Sequence, residues 1–150
     1  MREAIRLSRE KMQGGAGGPF GAIIVRGNEI IARGWNQVTS SNDPTAHAEV
    51  TAIREACVGL KRFHLSDCEL YTSCEPCPMC LAAIYWSHIK HVYFANTRQD
   101  AAEIGFDDNF IYQQLPLPIE KRTLPMQQAL REEAISVFAE WKTKPDKVEY

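Results

Sequence analysis

Residues 20–95 alternate short β-rich runs with helical ones, and that alternation leaves few architectures open. The runs "FGAIIV" and "EIIARGWN" are separated by Arg26, Gly27 and Asn28, the spacing of a hairpin closed by a glycine-containing turn. Residues 45–57 place Ala46, Val50, Ile53 and Cys57 on one stripe at helical spacing, so a helix follows the hairpin. "CELYTS" then reads as a third strand, residues 79–87 as another helix and "HVYFA" as a fourth strand. Strands that alternate with helices stack in layers, and this order predicts an α/β fold whose mixed sheet has an antiparallel hairpin at its edge. Residues 1–13 are loosely helical and "GGAGGP" stops them. Beyond Ala101 the pattern weakens: "AAEIGFDDNF" is loop-like, "LPLP" breaks the chain, and a last helix is expected over 126–141 before a polar tail.

A chain of 150 residues with 45% hydrophobic content suits one well-buried core, so 1–150 is expected to form a single domain. Lys plus Arg total 17 against 19 Asp plus Glu. The resulting charge of -2 gives no strong field for a phosphate backbone or an anionic bilayer, and nucleic acid and membrane are not expected partners. No apolar run approaches the roughly 18 residues that span a bilayer, and "MREAIRLSREKMQ" is too charged for a signal peptide. A cytoplasmic protein is the expectation. Five cysteines, three of them within "SCEPCPMC", suit metal ligation in a reducing compartment better than a secreted disulfide framework.

The chemistry concentrates in two short stretches. In "NDPTAHAE", His47 and Glu49 are separated by one residue, which inside a helix would point them roughly 160 degrees apart. They can serve one site only end-on, past the tip of a helix. Pro44 discourages helix before it and Thr45 is the expected N-cap, placing His47 in the first turn. In "PCPMC", Cys77 ends a strand and Cys80 follows one helical turn later on the same face, so the two can chelate one ion. Helix N-termini favour anions, and a bound cation lowers a thiol pKa further, so both effects favour the thiolates that ligation requires. His47, Cys77 and Cys80 make three ligands for tetrahedral Zn²⁺, a number that leaves the fourth position for water and marks a catalytic site. Glu49 beside it could move the protons that replacing a ring amino group demands.

"HAE" followed by "PCPMC" resembles the H-x-E and P-C-x-x-C signature of the zinc-dependent nucleobase and nucleoside deaminases. "GPFGAIIV", "GWNQV", "NDPTAHAEVTAIREAC", "LYTSCEPCPMCLAAIYWS" and "GFDDNFIY" are similar to the bacterial guanine deaminases of the cytidine/deoxycytidylate deaminase superfamily. The resemblance implies a three-layer α/β/α cytidine-deaminase-like fold with a central mixed sheet of about five strands. It implies one zinc per subunit on His47, Cys77 and Cys80, with Glu49 as proton shuttle in the hydrolysis of guanine to xanthine and ammonia. Asn36 would hydrogen-bond the base and the Ala48 backbone N–H would add a polar contact. Phe20 and Trp86 would form apolar walls. Asp108 of "GFDD" would accept the adjacent ring N–H and amine protons that guanine presents and adenine does not. In these relatives the C-terminal segment crosses to the partner of a homodimer and a final tyrosine helps close the pocket, a part that would fall to roughly residues 125–150 and to Tyr150.

Other readings have their own signatures. A nucleoside deaminase acting on guanosine could share "GFDD", and "GWN" with "DPTAHAE" also resembles the tRNA adenosine deaminases, although the charge of -2 and the mixed tail oppose that. A zinc-stabilised binding module would not need a glutamate at the open position. An iron-sulfur carrier would need a fourth cysteine after Cys80, and none follows. His64, His88 and His91 lack partners at ligand spacing, and Cys57 and Cys68 read as small buried hydrophobes.

Overall fold

The structure, a computed structural model, describes residues 1–149. The chain divides into two compact units, the first Met1–Asn109 and the second beginning at Phe110. In the first unit, α1 (Arg2–Gln13) precedes the hairpin β1 (Gly21–Arg26) and β2 (Glu29–Trp35). A short α2 (Val38–Ser41) leads to α3 (Ala48–Leu60), β3 (Glu69–Cys74), α4 (Pro78–Trp86), β4 (His91–Asn96) and α5 (Arg98–Glu103). The strands lie in the order β2-β1-β3-β4, with β1 antiparallel to both neighbours and β3 parallel to β4. The mixed sheet with a hairpin at its edge is therefore as the sequence suggests.

The described sheet has four strands rather than about five. After Asn96 the chain meets a strong helix start: Thr97 Oγ1 accepts from Asp100 N–H at 3.3 Å, and Asp100 Oδ2 accepts from Thr97 N–H at 2.7 Å. That reciprocal cap commits the next residues to α5. Much of the stretch expected as loop is thus helical, with α5 before Gly105, which turns at φ +92°, and α6 (Asn109–Gln114) after it.

Two glycines seat helices on opposite faces of the sheet. A Cβ at Gly34 would lie 2.2 Å from the carbonyl oxygen of Ala48 and 2.4 Å from the amide of Ala52, so α3 rests directly on β2. A Cβ at Gly21 would lie 2.5 Å from the Ala4 carbonyl, which puts α1 equally close to β1 on the other face. This contact selects the inward stripe of α3. Ala48, Ala52 and Ala56 are fully buried at that contact, where only methyl side chains fit beneath a helix so near the sheet, and the expected stripe flanks them, with Ala46 and Val50 buried and Ile53 and Cys57 packed against the core. Ile24, Leu65 and Leu70 complete that core with Ile84 of α4, the larger side chains contributing about 1.5–3 kcal/mol each on burial. On the opposite face the rings of Tyr71 and Tyr93 stack 4.6 Å apart across the parallel pair.

The second unit holds the end of α6, a 3₁₀ turn (Ile119–Lys121) and α7 (Arg131–Thr143). Arg122 Nε donates to the Leu117 carbonyl at 3.0 Å and Thr123 N–H to Gln114 Oε1 at 2.8 Å, which fix the turn between them. The last helix begins five residues later than expected. Leu130 sits at φ +50°, and Glu132 and Glu133 place negative charge at the positive end of the dipole only once the helix starts there. No residue of α7 is buried. No helix among the described residues is long and apolar enough to cross a membrane.

Candidate metal centre and catalytic site

Both helices that carry the candidate ligands begin at a ligand. His47 is the N-cap of α3, at φ -70° and ψ 160°, and Cys77 the N-cap of α4, at φ -64° and ψ 167°. The cap of α3 is therefore His47 and not Thr45, whose hydroxyl and N–H instead donate to Asp43 Oδ1 at 2.7 and 2.8 Å. Extended backbone at the cap frees the His47 ring from helical spacing, so it and Glu49 in the first turn can both reach past the helix tip. Pro78 at the first helical position of α4 is pre-set for that start and has no N–H to leave unpaired.

His47 Nδ1 lies 3.5 Å from Cys77 Sγ and 3.5 Å from Cys80 Sγ. Tetrahedral zinc with ordinary Zn–N and Zn–S bonds requires an N···S separation of about 3.6 Å, so the donor set fits the ion in type and in spacing. Among the described residues these three form the one His, Cys or carboxylate cluster within ligand reach. The two thiols are shifted in opposite directions. The Cys77 thiol is held well below its usual range, first by its hydrogen bond with Cys80 and then by that with His47. Cys80 is held well above it by the same shared hydrogen bond and by burial, so the pair keeps one proton between two sulfurs. His47 is raised, chiefly by its hydrogen bond to Cys77.

Glu49 is 6% exposed, and burial pushes its carboxyl above the ordinary carboxylate range, opposed by its own backbone N–H and by Thr72. Thr72 Oγ1 donates to Glu49 Oε1 at 2.9 Å. The Ala48 N–H is the first amide of α3 and has no partner within the helix, so it is available to a ligand at the tip.

Asn36, 7% exposed, follows β2. Its Oδ1 accepts from the N–H groups of Gly18 and Val38, both at 3.3 Å. Two donors on one side fix the amide orientation, and the Nδ2 group must face the other way, as a donor. Gly17, at φ +153°, lets the preceding loop approach so closely that a Cβ would fall 1.8 Å from the Asn36 carbonyl oxygen. Phe20 is half-buried against the core, and its ring meets Phe106 edge-on. Asp108 is half-buried, and its carboxyl is raised first by desolvation and next by the charge of Cys77, which places it within electrostatic reach of the ligands. Trp86 ends α4, six residues after Cys80, and is 68% exposed. Tyr150 lies outside the described residues.

Cys74 stands apart from the ligands. It is buried, its Sγ donates to the Thr97 carbonyl at 3.5 Å, and burial lifts its thiol to about 11. His64, His88 and His91 are exposed. Three contributors escape sequence reasoning: Thr72, Phe106 and Glu75, whose Oε2 accepts from the Arg98 N–H at 3.1 Å and ties the cysteine turn to the start of α5. For Phe106 the signal is its place in "GFDD"; for Thr72 and Glu75 the partners lie 23 residues away and leave no local trace.

Residues 1–96 match the cytidine and deoxycytidylate deaminase zinc-binding region. The chain is 55% identical over 150 residues to guanine deaminase of Bacillus subtilis (strain 168), spanning 100% of this chain and 96% of that protein. The X-ray structure of the Bacillus subtilis guanine deaminase matches with a TM-score of 0.96 over 99% of this chain and 95% of the other. Guanine deaminase from Nitrosomonas europaea matches with a TM-score of 0.68 at 31% identity, over 92% of this chain and 80% of that one. A tRNA-specific adenosine deaminase of Aquifex aeolicus is 51% identical over 77 residues, 51% of each chain.

Proposed function

The chain belongs to the cytidine and deoxycytidylate deaminase zinc-binding family, and within it we propose that the protein hydrolyses guanine to xanthine and ammonia, with one zinc ion per subunit. The observation that carries the chemistry is a buried carboxyl group, Glu49, at the helix tip that supplies His47 to a triad of three ligands, a number that leaves a fourth position for water. Zinc, when bound, supplies a Lewis acid that makes a water nucleophilic near neutral pH. Glu49 accepts a proton from the attacking water and delivers it to the ring nitrogen beside C2, then takes the second from the new C2 hydroxyl as its C=O forms and gives it to the amine, which leaves as ammonia when the C–N bond breaks. Its raised affinity for protons suits a group that must both take and give them.

Guanine as the base rests on kinship along the whole chain and on the polarity of Asn36. With Oδ1 occupied, the amide offers only N–H donors, which match the O6 and N7 acceptors of guanine. Adenine offers a donor at position 6 and is disfavoured. Asp108 accepts the ring N–H and amine protons, the Ala48 N–H contributes a donor, and Phe20 forms an apolar wall. Trp86 adds a second apolar wall once its exposed ring is covered. Covering fits a homodimer that exchanges the C-terminal segment, which is supported by the exposed apolar side chains of α4 and α7, among them Tyr85, Phe138 and Trp141. Five free cysteines suit a reducing cytoplasm.

The test is ammonia release from guanine, guanosine, adenine, cytosine and cytidine by zinc-loaded protein. Turnover is expected on guanine, with guanosine and the other compounds slower by at least about 10². Preferred turnover of guanosine would move the assignment to a nucleoside deaminase. Glu49→Gln is expected to lower kcat by about 10² to 10⁴. A loss of no more than threefold would end the proton role of Glu49.

A further inference from the structure

Thr72 has no measurable exposed surface and binds no metal, yet its hydroxyl donates to Glu49 Oε1 at 2.9 Å. The hydroxyl is the donor and the carboxyl oxygen the acceptor. Among the described residues Glu49 is the one side chain that takes the Thr72 hydroxyl proton. The two side chains also differ in stiffness. Thr72 is β-branched and lies in an interior strand, opposite Ala22 of β1 and Phe94 of β4, whereas Glu49 has three rotatable bonds at a helix tip. The rigid partner orients the flexible one.

We propose that Thr72 is a positioning residue for the deamination: it holds Oε1 of Glu49 so that the second oxygen, Oε2, faces the substrate and carries every proton transferred. The inference rests on Glu49 being the proton carrier. It concerns where the carboxylate points, so it predicts a loss in the chemical step with little change in substrate or metal binding.

The experiment compares zinc-loaded wild type, Thr72→Val, Thr72→Ser, Glu49→Gln and the double variant Thr72→Val/Glu49→Gln, reading kcat and KM for guanine together with zinc content. Valine matches threonine in shape and removes only the donor. Its kcat should fall about 10- to 100-fold, the range for a hydrogen bond to a charged group, with KM within about threefold and zinc retained. Serine should restore kcat to within about threefold of wild type, since it keeps the hydroxyl. In the Glu49→Gln background the valine substitution should cause no further loss of the residual rate, because the two groups act as one unit. Should Thr72→Val fail to hold zinc, Thr72→Ala and Thr72→Ser make the same comparison.

Wild-type kcat in Thr72→Val, absence of rescue by serine, or an equal loss in both backgrounds would overturn the proposal while leaving Glu49 in its role if Glu49→Gln is inactive. Near-normal activity in Glu49→Gln would instead remove the proton carrier and this inference with it.

Discussion

The ring of Phe106 meets that of Phe20 edge-on, with centroids 4.9 Å apart and planes at 88°. Phe20 ends the loop that precedes β1, and Phe106 stands two residues before Asp108, so the contact pins the segment proposed to read guanine against the loop that holds Asn36. Glu75 anchors the start of the same segment by accepting the Arg98 N–H. An edge-to-face pair contributes about 0.5–1.5 kcal/mol beyond its buried area, which corresponds to roughly two- to tenfold in an equilibrium. Phe106→Ala should therefore raise KM for guanine by about three- to tenfold, with zinc content unchanged. Steady-state kinetics and metal analysis of one preparation check both halves, and a purely kcat effect would dissociate Phe106 from Asp108.

The three thiols of "SCEPCPMC" should separate on metal analysis. His47→Ala, Cys77→Ser and Cys80→Ser each remove one of three ligands and should lose zinc at equilibrium with a weak competing chelator. Cys74→Ser should retain it, because the Cys74 sulfur is directed to the Thr97 carbonyl and burial keeps it a thiol up to about 11. A fall in zinc equal across all the variants would refute this partition. Chelating the metal from wild type should also lower the melting temperature, since the ion binds the folded arrangement of ligands and not a preformed site in the unfolded chain.

The metal centre was the most legible part of the sequence because its logic is local. Each of "HAE" and "PCPMC" places its ligands at a helix start, and only the distance between the two starts needed the fold. The details failed where tertiary contact overrides a local preference. Thr45 is a good cap in isolation, but Asp43 captures its hydroxyl and the extended residue is His47. The closest contact of α3 is set by Gly34, a residue of another element, so a periodicity count within the helix finds the buried Val50 and the packed Ile53 and Cys57 but not the alanines that touch the strand. Thr72 is one of many threonines that a strand can carry, and nothing near it in sequence names Glu49 as its partner. The fifth strand was an inference from kinship, and the Thr97 cap decides against it at that place in the chain.

A pH effect on stability follows from Glu3, which joins α1 to β2. Its Oε2 accepts from Arg6 Nε at 2.8 Å and its Oε1 from Arg33 Nε at 2.9 Å. These hydrogen bonds, Arg6 first, hold its pKa down to about 2 from an ordinary 4.5. A depressed folded-state pKa means that the unfolded chain binds more protons between the two values, so the stabilisation is complete above about 4.5 and disappears as pH falls toward 2. The pairs are largely solvated, and the effect should be small and weakened by salt. Glu3→Gln is expected to lower the melting temperature by about 1–3 °C at pH 7 in low salt and by nothing measurable near pH 2. Thermal melts across that range check it, and a difference that grows on acidification would have the wrong sign.

The polarity of Asn36 gives the most direct test of base recognition. Its Oδ1 is committed to the Gly18 and Val38 N–H groups, so substrate can meet only the amide hydrogens. Asn36→Asp leaves one oxygen to keep those two backbone contacts and puts a second oxygen where the donor was. The loop should therefore hold its shape while the group facing the base changes from donor to acceptor, against the O6 or N7 lone pairs of guanine. Removing a single well-placed donor in a closed site costs about 10² to 10³ in rate, and reversing its polarity should cost at least that in kcat/KM. Asn36→Ala should lose activity too, but also destabilise the protein, because it leaves the Gly18 and Val38 amides without their acceptor. Melting temperature thus separates the two variants: near wild type for aspartate, lower for alanine. Guanine turnover by Asn36→Asp within about threefold of wild type would show that the amide does not donate to the base, and Asn36 would then be confined to holding the loop.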